Sequence, residues 1–169
     1  MFVNIGLISF FAKSHFYTRK LTIVLLANYL FIHRILNLSG GTNMRKITKE
    51  QITKPFENYT GEKIYEMIGA PLELGEAKYH SFGHVVIPPQ CMSRLHFHPV
   101  AEETYYMLKG QAKMVIDGEE HICNPGDAIL IQQNEKHQIF SIGDVDLEFL
   151  CVCAPAWEPN NSVYLDEVD

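Results

Sequence analysis

From residue 62 onward, apolar and polar positions alternate with a period of two, in short runs broken by glycine, proline, asparagine and aspartate. That period places successive side chains on opposite faces of a strand. It predicts strands over residues 63–69 and 77–87, the second ended by Pro88-Pro89, and a short one over 93–98. Further strands are expected over 103–110, 111–117, 120–124, 128–133, 137–142 and 146–154. Asp117-Gly118 is a two-residue hairpin signal, and Pro125-Gly126-Asp127 marks another turn. No helix-length crossover separates the strands, so the pattern predicts an all-β sandwich or barrel. Upstream, residues 47–58 read as a short N-terminal helix that Pro55 ends.

The first 43 residues follow another pattern. Two apolar runs, Phe2 to Ala12 and Leu21 to Ile32, are separated by Lys13, His15, Arg19 and Lys20. Each is too short to cross about 30 Å of hydrocarbon as a helix. Three readings stand: upstream sequence preceding a true start at Met44, an export signal or anchor, or an amphipathic surface helix. The chain therefore divides into an apolar extension over 1–43, an arm over 44–76, a barrel over 77–154 and a tail over 155–169.

Charge follows the same boundary. Residues 1–43 carry four basic and no acidic side chains, whereas the remainder carries 10 basic and 20 acidic ones. An acidic body repels a phosphate backbone, so nucleic acid is not an expected partner. A membrane is one only if residues 1–43 belong to the native chain. Cys91, Cys123, Cys151 and Cys153 form no CxxC pair and read as free buried thiols, which fits a cytoplasmic, reducing setting.

The chemistry concentrates in one stretch. His96 and His98 are two apart, so on a strand both imidazoles project the same way. Glu103 opens the next strand after a turn at Pro99, and His137 opens a later one. Three imidazoles and a carboxylate suit one divalent transition metal: iron, manganese, nickel, zinc or copper. Such a site keeps a net charge of +1, which favours an anionic ligand.

The spacing His96-x-His98, four residues, Glu103, six residues, Gly110 resembles the first motif of the cupin superfamily. Pro125-Gly126-Asp127 followed by His137 resembles the second. The resemblance covers about residues 80–150 and implies a double-stranded β-helix, or jelly-roll, barrel with the metal inside, in a small protein that pairs as a homodimer. One departure stands out. Cupins usually carry a glycine separated from the first histidine by five residues, where this chain has Gln90. The alternative carboxylate, Glu102, would fit only a turn one residue shorter.

Other side chains follow from parity. Tyr105 and Met107 share the face of Glu103; Tyr105 is a candidate for orienting a substrate or donating a proton. Phe149, Cys151 and Cys153 share a face on the last strand and form a candidate pocket floor. Arg94 has the parity of the ligand histidines and can meet an anion. His80 and His84 lie about 13 Å apart along a strand, too far to chelate one ion. His121 and Cys123 also share a face, and Trp157 is expected to cover a barrel opening or a partner. The functional expectation is a metal-dependent enzyme acting on a small oxygenated or anionic molecule, either a sugar or keto-acid isomerase or a dioxygenase. The alternative is a non-catalytic module that binds a sugar or metabolite.

Overall fold

Along Ser81–Ile87 every second residue is buried, and the alternation seen in the sequence becomes a strand with one face turned inward. The computed structural model describes residues 44–70 and 75–165. The expectations for residues 1–43 lie outside the described residues. In chain order the strands are β1 (Phe56–Glu57), β2 (Lys63–Ile68), β3 (Ser81–Ile87), β4 (His96–Phe97), β5 (Glu102–Lys109) and β6 (Ala112–Ile116). They continue with β7 (Glu119–Cys123), β8 (Ala128–Ile131), β9 (His137–Ser141), β10 (Leu147–Ala154) and β11 (Val163–Tyr164).

Two antiparallel sheets result. One is six-stranded, in the order β1-β2-β3-β10-β5-β8, and the other five-stranded, in the order β11-β4-β9-β6-β7. This is the jelly-roll architecture: β1 to β3 stay in one sheet, and from β3 onward the chain crosses between the two sheets at every step except the β6–β7 hairpin. Ile87, Met107, Ile131, Ile139, Leu147 and Phe149 fill the space between the sheets and are almost fully buried. Burying each such side chain contributes about 1.5–3 kcal/mol. Asp117 and Gly118 take φ values of 48° and 89° between β6 and β7, the positive pair that a tight hairpin requires.

Three sequence expectations need correction. No helix spans 47–58; a single 3-10 turn covers Lys49–Gln51. Thr48 opens it, its backbone N–H donating to Gln51 Oε1 at 2.6 Å. Pro55 then supplies no N–H and biases Lys54 away from helical backbone. Phe56 instead pairs with Ile64 as β1. The strand expected over 77–87 begins only at Ser81. Of residues 93–98, only His96 and Phe97 are strand. Ser93 breaks the ladder there, because its Oγ accepts the N–H of Ile139 at 3.0 Å. Strand β11, which the sequence pattern missed, pairs with β4 at the register Tyr164 to His96. Among the described residues, no helix is long and apolar enough to cross a membrane.

Candidate metal centre

Three strands bring the four predicted ligands together. His96 lies on β4 and His98 one residue past its end, with Phe97 between them on the other face. His137 is the first residue of β9 and sits directly across from His96. Glu103 is the second residue of β5 and is buried, whereas Glu102 beside it is exposed. Parity on β5 thus selects Glu103, as the spacing to Gly110 predicts. One ligand atom from each of His96, His98, Glu103 and His137 lies within 4.8 Å of the others.

The imidazoles are held from behind by backbone carbonyls. His96 Nδ1 lies 2.8 Å from the Arg94 carbonyl, His98 Nδ1 2.7 Å from that of Asn161, and His137 Nδ1 2.9 Å from that of Glu135. A carbonyl only accepts, so each Nδ1 carries the proton and each Nε2 presents a lone pair. The Nε2 atoms of His98 and His137 are buried and have no hydrogen-bond partner. They face Glu103 Oε1 at 3.3 Å and Oε2 at 3.2 Å respectively. Lone pairs facing carboxylate oxygens in a buried space call for a cation between them. This donor set therefore fits a divalent transition metal, and outer carbonyls that fix the tautomer are the usual support of metal-bound histidine.

The charges agree. Burial works against ionised Glu103, but His137 and His98 outweigh it and hold the carboxyl well below its usual range. Burial and the neighbouring His137 push His96 down to about 4, so it is neutral at physiological pH. Burial opposes charge on His98 as well, yet Glu103 and the Asn161 carbonyl together raise it.

The cluster opens onto a cavity of about 440 Å³. Tyr105 and Cys151 line it, and both reach Glu103: the tyrosine hydroxyl donates to Oε2 at 3.1 Å and the thiol to Oε1 at 3.4 Å. Burial, then the charge of Glu103, keeps the Tyr105 hydroxyl and the Cys151 thiol protonated, and pushes Cys153 up to about 12. A thiolate nucleophile is thereby disfavoured. Arg94 lines the cavity with its guanidinium over the rings of Tyr164 at 3.9 Å and Tyr59 at 5.3 Å. Trp157 also lines it, its indole N–H donating to Ser162 Oγ at 2.9 Å.

The remaining candidates fall elsewhere. Met107 and Phe149 pack in the core. His84 points outward and meets Glu148 at 3.0 Å, and His80 and His121 are exposed. All four cysteines are free. The sequence reading missed Glu62 and Glu66, which line the cavity from β2 and the residue before it. Their signal was present: Glu62, Ile64 and Glu66 share one parity, so two acids flank an apolar residue on a single face.

Known proteins agree with this architecture. Residues 83–153 match the family model for the cupin domain. The chain is 31% identical over 118 residues to the oxalate-binding protein of Thermotoga maritima, covering 68% of this chain and 97% of that one. It is 30% identical over 113 residues to an uncharacterised protein of Methanocaldococcus jannaschii, covering 67% of this chain and 89% of that protein. Among solved structures, oxalate decarboxylase of Lactobacillus farciminis in complex with formate aligns at TM-score 0.59 and 29% identity. That alignment covers 66% of this chain and only 33% of the other. The polyketide cyclase RemF of Streptomyces resistomycificus aligns at TM-score 0.59 over 73% of this chain and 88% of its own, and at 22% identity it shows the fold alone.

Proposed function

The chain belongs to the cupin family, and from that premise we propose that it is a metal-dependent enzyme acting on a small organic anion that binds through oxygen. The observation that carries this reading is the convergence of His96, His98, Glu103 and His137 within 4.8 Å, with every Nδ1 tied to a backbone carbonyl. A divalent ion held there would supply Lewis acidity to a ligand oxygen. The protein's part is to hold the four donors, to shield the site with Tyr105, Cys151 and Trp157, and to keep the Tyr105 proton on its oxygen. The net charge of the loaded cluster favours an anion, and the cavity is large enough for a small organic molecule.

A second reading is binding without turnover. The 31% identity to a protein named for oxalate binding favours it. Metal analysis of the purified full chain tests the shared premise, with about one transition metal per chain expected. Oxygen uptake and product formation over a panel of small hydroxy and keto acids then separate the readings. Turnover supports the enzyme, and saturable binding without product supports the module. A metal-free chain whose His96→Ala variant behaves identically would overturn both.

We propose further that the chain pairs as a homodimer. Tyr106, Leu108 and Leu130 leave apolar surface exposed on the outer side of the six-stranded sheet. Light scattering would test this.

A further inference from the structure

The register of the six-stranded sheet lays out a floor for the cavity. On β3 and β10, Gly83 lies opposite Cys151 and Ser81 opposite Cys153, and all four line the cavity. Their side chains are small, so two consecutive inward rows leave space above them. The four positions span about 7 Å along the strands and about 5 Å across them, close to the outline of a six-membered ring. The space is open at Gly83. A Cβ there would meet Ile64 Cγ2 at 3.3 Å and the Tyr65 carbonyl oxygen at 3.7 Å, and, its chain neighbours aside, no other heavy atom of the described residues within 4 Å.

The floor is framed. One row further in, Val85 lies opposite Phe149, and both are buried in the core. On β5, Tyr105 lies opposite Cys151, and the predicted ligand Glu103 opposite Cys153. On β2, Glu66 lies opposite Gly83. At the outer end the Trp157 backbone N–H donates to Ser81 Oγ at 3.2 Å.

We propose that the site takes a planar aromatic carboxylate, its ring seated on this floor beside the Trp157 indole and its carboxylate on the metal. This deepens the functional reading above and rests on the same four residues as metal ligands. Three observations carry it.

First, the unmet polar demand lies at the metal end. The Nε2 atoms of His98 and His137 are buried and unpaired there, facing Glu103. That end takes the carboxylate through the metal. The floor beside it presents carbon and sulfur, and the Ser81 hydroxyl oxygen already accepts from Trp157.

Second, Trp157 offers the cavity ring carbon rather than a hydrogen bond. Its indole N–H is taken by Ser162 Oγ at 2.9 Å, and the residue lines the cavity. An indole tied at both its backbone and its ring nitrogen is an aromatic wall already in place before a ligand arrives. Ser162 Oγ lies 3.4 Å from His98 Nδ1, so the wall stands beside the metal end.

Third, the volume calls for more than a carboxylate. Oxalate has no ring to place on the floor and would leave most of the 440 Å³ unfilled. A saturated ring would gain burial, but it is thicker and has no π face to set against the indole.

The test compares benzoate, cyclohexanecarboxylate and acetate by calorimetry on the zinc-loaded full chain at pH 7. All three carry one carboxylate, so the differences between them report the ring. Benzoate is expected to bind about fivefold more tightly than cyclohexanecarboxylate, the scale of an aromatic pair. Trp157 is the only tryptophan in the chain, so benzoate should also change its emission while acetate does not. Trp157→Leu should erase the preference for benzoate over cyclohexanecarboxylate, and Trp157→Phe should retain part of it. Gly83→Ala, which raises the floor, should weaken benzoate several-fold relative to acetate. Benzoate binding no tighter than cyclohexanecarboxylate or acetate, a preference that survives Trp157→Leu, or a benzoate-to-acetate ratio unmoved by Gly83→Ala would each overturn the proposal. Should a variant not fold, the ranking and the tryptophan emission of the parent chain decide alone. A parent chain that takes up neither zinc nor another divalent transition metal would overturn the metal reading, and the benzoate ranking on the metal-free chain would then judge the floor and the indole separately.

Discussion

The Tyr105 hydroxyl donates to Glu103 Oε2 at 3.1 Å, and both groups are buried. Tyr105 therefore reaches the centre through a predicted metal ligand. Its ring also packs on Phe149, with centroids 4.6 Å apart, a contact that phenylalanine would keep. Tyr105→Phe is expected to weaken metal binding about 10-fold, as loss of a hydrogen bond to a ligand does, while the melting temperature of the metal-free chain barely moves. Competition with a chelating dye measures the first and scanning calorimetry the second. Unchanged metal affinity with a fall in kcat alone would return Tyr105 to the role of a direct proton donor.

Removing a ligand should have a larger and different effect. His137 is buried and faces Glu103, so His137→Ala is expected to abolish stoichiometric metal while circular dichroism still reports a β-sheet protein. Because metal binds the folded state, the parent chain should also melt at a higher temperature with metal than after chelation. At a free metal concentration 100 times Kd this difference is about 2.7 kcal/mol. The His137→Ala variant should show no such shift.

The C-terminal segment is tied to the same centre. The Asn161 carbonyl holds His98 Nδ1, and Tyr164 pairs with His96 across β11 and β4. A chain ending at residue 160 loses both restraints but little of the core, which lies on β3 and β5 to β10. Metal affinity is expected to fall about 10–100-fold. The truncated chain should still unfold cooperatively in urea, and a dye titration would read the loss.

Stability should depend on pH through the cavity wall. Glu62 and Glu66 are raised to about 8 and about 7 from an ordinary 4.5. The folded chain thus keeps protons that the unfolded chain releases. Their contribution is complete below the unfolded value and is lost as pH rises through the folded values. Each group can cost up to about 1.4 kcal/mol per pH unit in that window, and Glu66, only half-buried, costs less. Urea midpoints of the chelated chain should therefore fall between pH 5 and pH 8. Glu62→Gln with Glu66→Gln should flatten the slope and raise stability at pH 8.

Three members of the clustered quartet, His96, His98 and Glu103, were legible in the sequence because each rests on a local rule, whereas His137 joins them through the pairing of β4 with β9 and was pointed to by the family resemblance. Parity on a strand aligns His96 with His98, and a short return at Pro99 brings Glu103 beside them. The Asp117-Gly118 hairpin was legible for the same reason, since the turn needs only its own two residues. Glu62 and Glu66 were not singled out, because their meaning depends on β2 joining β3 and β10 in one sheet. Asn161 was equally hidden: its backbone carbonyl does the work, and any residue supplies one. The helix expected over 47–58 failed because a short segment interrupted by Pro55 is marginal as a helix, and past the proline Phe56 and Glu57 pair with β2 instead.

Two turn positions give a paired test of the barrel. Gln90 takes φ 62°, a left-handed backbone where cupins usually place glycine, and its N–H donates to the Ser141 carbonyl at 3.1 Å. The substitution of the customary glycine thus leaves the turn before His96 formed but places an L side chain in an unfavourable conformation, at about 1–2 kcal/mol. Gln90→Gly relieves that strain and loses part of the gain to the greater freedom of the unfolded chain, so a net stabilisation of up to about 1 kcal/mol is expected. Gly110 presents the opposite case. It takes φ 78°, and a Cβ there would lie 2.8 Å from the Asp146 carbonyl oxygen. Gly110→Ala adds a backbone clash to the left-handed penalty and is expected to destabilise the barrel by roughly 2 kcal/mol or more. Urea unfolding of the two variants under identical metal-free conditions should move the midpoints in opposite directions. Destabilisation by Gln90→Gly would show that the glutamine side chain earns its place through contacts that outweigh its backbone strain.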